Sequence, residues 1–199
     1  MRRVIQIRKN LAMSSQRIPR RVFLDSSTLQ TLQDYGEFIY DGGEISPTDK
    51  IWSIPNGFDN IIALRKIVGV GNRGSLQLAI SRNSLQEVLD RNRDTYLQWA
   101  LEMLAYWEGC LVAYEEHDYA FSGHGKALAA KFEGSRFDYL STKDARLVRD
   151  AVLLECDVFL TMEGKLPKNA LPIEKALGIK VMQPVGYWEL LGPWAPLLG

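Results

Sequence analysis

The chain has 199 residues, 46% of them hydrophobic and 24% charged, and its 24 basic and 24 acidic residues leave a formal net charge of zero. That is ordinary for one globular domain able to bury a core unaided. It argues against a protein that coats nucleic acid through bulk positive charge, while leaving room for a local basic groove. The two cysteines, Cys110 and Cys156, form neither a disulfide framework nor a metal-ligand pattern, and no apolar run reaches membrane-spanning length. The expectation is buried thiols, a reducing compartment and hence the cytoplasm.

Residues 1–20 read as a basic arm, with six Lys or Arg residues, a seventh in Arg21 and no acid before Asp25, and without the apolar core of a signal peptide. Val22–Leu24 is short, apolar and sharply bounded, which predicts a buried strand. A helix is expected over about 27–39. The stretch from Tyr40 to Gly57 is rich in turn residues. Apolar residues at helical spacing from Phe58 to Val68 predict a second helix, and the alternation over 75–81 a second strand. The following NSLQEVLDRN opens a helix, and TYLQWALEMLAYWEGCLVAY reads as another, long and apolar-striped. Residues 114–141 read as a long loop or small insertion. STKDARLVRDAVLLEC predicts a strong helix, DVFLT a buried strand, IEKALG a short helix and IKVMQP a last strand stopped by Pro184. Strands separated by helices imply a three-layer α/β/α fold around a mainly parallel sheet, with ligands bound outside the carboxyl ends of the strands. The stretch from Gly69 to Gly74 fits GxGxxG, but it follows a helix and precedes a strand, the reverse of a dinucleotide-binding turn.

Four acids carry the chemistry. Each has an ordinary explanation. Asp25 can cap the next helix, Glu87 can complete a capping box with Ser84, Asp144 can do the same with Ser141, and Glu163 can be a turn residue. As a set they say more. Asp25 and Glu163 fall at predicted strand ends, Asp144 at a helix start and Glu87 one turn into a helix, so all four can converge on one edge of the sheet. Carboxylates about 4 Å apart repel by roughly 4 kcal/mol at an effective dielectric of about 20, so such a cluster calls for a cation. Hard oxygen ligands suit Mg²⁺ or Mn²⁺, which can polarise a phosphoryl oxygen and activate water.

VFLDSSTL, LAISRNSLQEVL, KDARLVRDAVLLECDVFLT and IKVMQPVGYWELL resemble, in order and spacing, the signatures of PIN-domain nucleases. The resemblance spans residues 21–191, with insertions near 41–57 and 113–140 and a tail at 192–199. It implies a Mg²⁺- or Mn²⁺-dependent ribonuclease acting on single-stranded RNA. The metal-holding acids would be Asp25, Glu87 and Asp144, assisted by Glu163, with Ser26 and Thr161 as supporting oxygens. Glu163 stands where the family carries Asp, one methylene shorter. The alternative is a catalytically weak or inactive PIN-like module that binds RNA or a protein partner. A homodimer is compatible with the aromatic surface, and an antitoxin-like partner is not favoured.

Overall fold

The computed structural model describes residues 18–71, 73–89, 111–113, 122–132 and 137–197. Five strands form one sheet: β1 (Arg21–Leu24), β2 (Gln77–Ser81), β3 (Leu111–Ala113), β4 (Val158–Leu160) and β5 (Lys180–Met182), in the order β3-β2-β1-β4-β5. Every pairing is parallel, with Val22 opposite both Leu78 and Val158. The helices are α1 (Ser26–Asp34), α2 (Gly57–Val70), α3 (Arg82–Leu89), α4 (Gly123–Ala129), α5 (Thr142–Leu153), α6 (Ala170–Leu177) and α7 (Pro184–Leu191).

The period-two alternation of the strands divides the core. Val22, Leu24, Leu78, Ile80, Val158 and Leu160 face Leu29 and Leu32 of α1, Ile61 and Leu64 of α2, and Tyr187 of α7. Phe23, Ala79, Phe159 and Val181 face Val148 and Ala151 of α5 and Ile173 of α6. A sheet buried on both faces needs strands that are apolar at every position, as Val22, Phe23 and Leu24 are. The expected three-layer α/β/α architecture is therefore the observed one.

Several boundaries differ from the sequence reading. The first helix stops at Tyr35, after which one π turn (Glu37–Asp41) ends at the left-handed Gly42 (φ 79°). The long helix expected to run on to Tyr114 does not: Leu111–Ala113 is a strand on β2. Its few apolar residues satisfy a helical stripe and a buried strand equally well, and pairing with the sheet edge decides. Within the expected loop at 114–141, Ser122 caps α4 by accepting from the Gly125 amide at 3.0 Å. Lys131 Nζ donates to the Ala176 carbonyl at the end of α6 (3.0 Å). Residues 1–17, most of the expected helix at 95–114, and parts of the expected loop at 114–141 lie outside the described residues. Among the described residues no helix is long and apolar enough to cross a membrane.

Helix α4 crosses the C-terminal turn of α5 so closely that a Cβ on Gly125 would sit 2.9 Å from the Leu153 carbonyl oxygen. Gly125→Ala is expected to destabilise the fold by about 1–3 kcal/mol in urea denaturation. Gly69, inside α2 with nothing within 4 Å of such an atom, is the control: Gly69→Ala should stabilise by about 0.5–1 kcal/mol.

Candidate functional site at the sheet switch point

The chain leaves β1 toward β2 and β3 on one side and returns through β4 and β5 on the other. The carboxyl ends of β1 and β4 therefore flank the point where the winding reverses, the place where parallel sheets open a crevice. Asp25 follows β1 there and Thr161 follows β4. The two ends are joined: the Asp25 amide donates to the Leu160 carbonyl at 3.2 Å and the Thr28 hydroxyl to the same oxygen at 2.9 Å.

Asp25 is 5% exposed. It caps α1, its Oδ1 accepting from the Thr28 amide at 2.7 Å, and the Ser27 hydroxyl lies 2.9 Å from both carboxylate oxygens. Burial pushes its pKa up to about 6, against the downward pull of hydrogen bonds from Thr161, Thr28 and Ser27. No Lys, Arg or His among the described residues pairs with it. Asp25 is thus a cap and also, among the described residues, a buried carboxylate without a counterion.

Glu87 does not play the capping role its sequence suggests. Helix α3 begins three residues earlier than the SLQE pattern implies, and the Ser81 hydroxyl accepts from the Ser84 amide at 3.3 Å. The Ser84 hydroxyl is turned back onto the Ser81 carbonyl (2.9 Å). Glu87 is left available and receives the Ser26 hydroxyl at 2.7 Å. Ser26, directly behind Asp25, therefore ties the first and second of the expected acids to one corner of the sheet.

Asp144 keeps its structural role. Ser141 caps α5 through the Asp144 amide at 3.1 Å and donates its own hydroxyl to Asp144 Oδ2 at 2.8 Å. Asp144 shares a helical stripe with Val148 and Ala151, both fully buried against the sheet, so the first turn of α5 lies above the rim. Glu163 is exposed, and its amide donates to Thr161 Oγ1 at 3.0 Å. Thr161 is buried, with the Ser27 hydroxyl 3.3 Å away, beneath the switch point.

Among the described residues, no three or more Asp, Glu, His or Cys side chains form a group arranged to hold a metal ion. The structure brings Asp25 and Glu87 to a shared serine pair. It leaves Asp144 and Glu163 on flanking elements, each with its own hydrogen bonds.

Two contributions escaped the sequence reading. Ser27 reaches Asp25 and Thr161 and also accepts the Met162 amide at 3.0 Å, making it the hub of the crevice floor. Its signal was present in the run of three hydroxyl residues behind the acid. Asp150 on α5 accepts from Asn83 Nδ2 at 2.8 Å and from the Ser81 hydroxyl, and burial raises its pKa. Asn83 and Glu87 are four residues apart on α3, so one face of that helix is tied to α5 at one end and to α1 at the other. No spacing in the sequence links Asn83 to an acid 67 positions away. No protein-family model matches the chain, and no curated protein matches it.

Proposed function

We propose that the chain is a divalent-metal-dependent, PIN-like endoribonuclease that cuts single-stranded RNA in the cytoplasm at the crevice between β1 and β4. The observation that carries this reading is Asp25: a carboxylate buried at the switch point, lifted to about 6 by that burial, with no cation beside it among the described residues. Such a group is held at a cost that a bound cation would remove. The donor chemistry around it, carboxylate and hydroxyl oxygens only, fits Mg²⁺ or Mn²⁺. Asp25 and Glu87 would hold the ion, joined by Asp144 from the first turn of α5 and assisted by Glu163. Once bound, the ion would polarise the phosphodiester and acidify a water. Ser27 and Thr161 fix the Asp25 carboxylate from below, and Ser26 fixes Glu87.

A labelled single-stranded RNA incubated with Mn²⁺ tests this. Wild type should cleave it, and Asp25→Asn and Glu87→Gln should each lose about 100-fold or more, the scale of losing a group that stabilises transition-state charge. Equal cleavage by wild type and Asp25→Asn would remove the sheet crevice as its source.

One observation favours a second reading, a non-catalytic module that binds RNA or a protein partner: the described residues hold no three-acid group, and Asp25 and Asp144 both serve as helix-start residues. Calorimetry separates the two. Mn²⁺ binding that disappears in Asp144→Asn supports the nuclease, and RNA binding without Mn²⁺ binding supports the module.

A further inference from the structure

Away from the sheet crevice, a cleft of about 600 Å³ lies between the outer face of α5 and the side chains of Phe132, Phe137 and Asp138. Its size is that of a small-molecule site, and its chemistry is divided. One wall carries Arg146 and Arg149, three residues apart and therefore neighbours on one helix face. Thr142 adds a hydroxyl at the helix start, where the helix dipole favours an anion. The other wall carries an aromatic platform: Phe132, half-buried, lies on Phe137 with ring centres 4.5 Å apart and planes 23° from parallel. Asp138, exposed, stands at the same wall as a hydrogen-bond acceptor.

Paired guanidiniums match the oxygens of a phosphate, and a flat ring face matches a heterocyclic base. We infer that this cleft binds a nucleotide, with its phosphate on Arg146 and Arg149 and its base against Phe132. Asp138 accepts from a ribose hydroxyl or an exocyclic amine. The nucleotide is either free or one unit of a single strand. The inference rests on residues separate from Asp25 and Glu87 and stands whether or not the crevice cuts RNA.

The test titrates the full chain in EDTA with AMP, inorganic phosphate and a short single-stranded oligouridylate. AMP is expected to bind more tightly than inorganic phosphate. The Arg146→Gln/Arg149→Gln pair should weaken AMP by about tenfold or more, the scale of losing charge-assisted hydrogen bonds. Phe132→Leu should weaken AMP and the oligonucleotide by several-fold and leave inorganic phosphate unchanged. Asp25→Asn should bind AMP as wild type does, so failure of the nuclease reading and of this one are told apart. Binding of AMP assigns the cleft to a free nucleotide. Binding of the oligonucleotide alone, still dependent on both arginines and Phe132, assigns it to a strand. Absence of both, or binding indifferent to the arginine pair, overturns the inference. So does AMP binding no tighter than phosphate together with no effect of Phe132→Leu. Backbone amide shifts over 142–149 on adding AMP confirm the location in folded protein.

Discussion

Asp25→Asn is expected to make the protein more stable near pH 7, by up to about 3 kcal/mol, while removing whatever the crevice does with a divalent ion. Burial lifts the folded carboxyl from 3.8 to about 6. Between those values the folded chain holds a proton that the unfolded chain has released, so stability falls as pH rises through the window. At about 1.4 kcal/mol per pH unit, the ionised group costs ~3 kcal/mol by neutral pH. Asn keeps an oxygen for the Thr28 amide, is as good a helix cap, and carries no charge to bury. Urea denaturation across pH 4 to 8 should show the wild type weakening through this interval more steeply than the variant, which keeps the other titrating groups such as Asp150, and the two converging at the acid end. Mn²⁺ should close most of the difference by stabilising the wild type, by ~2.7 kcal/mol at a hundred times its dissociation constant, and leaving the variant unmoved. A variant less stable than wild type at neutral pH would mean that the hydrogen bonds to the carboxylate outweigh the cost of burying it.

The largest purely structural effect is expected at Phe159. It lies 1% exposed in β4, stacked on Phe23 of β1 with ring centres 5.3 Å apart, beneath α5 and α6. Phe159→Ala removes a ring from the middle of the sheet, where neighbouring strands cannot collapse into the space. A loss of about 3–5 kcal/mol is expected, a large part of the 5–15 kcal/mol typical of a domain. Leu171→Ala, at a side chain 78% exposed, should change the urea midpoint little, by about 0.5 kcal/mol or less. Equal effects at the two positions would contradict the layering described above.

Much of this layering was legible beforehand, because strands buried on both faces announce themselves as brief apolar runs. Val22–Leu24 and Val158–Leu160 are such runs, and Asp25 and Thr161 mark where each ends. The β3 strand was not legible, since three apolar residues at the end of a striped segment fit two periodicities and only the partner strand chooses. The site was legible in part. Asp25 could be placed at the rim from its strand, but its burial depends on Thr161, which is distant in sequence. Glu87 was harder. Its local pattern pointed to a cap, and only the earlier start of α3, set by Ser81 at the end of β2, leaves its carboxylate for Ser26. Asp150 was invisible because its partners Asn83 and Ser81 are supplied by packing between α3, β2 and α5.

The floor of the crevice closes through Ser27 and Thr161, which are 134 positions apart, and β1 finds its β4 neighbour only after β2 and β3 have been laid down on its other edge. Contacts of such long range form late, because the intervening chain must first surrender its freedom. A growing polypeptide therefore carries Asp25 through most of its synthesis as an ordinary solvated acid, and its burial is complete only when the last third of the domain has folded against the first.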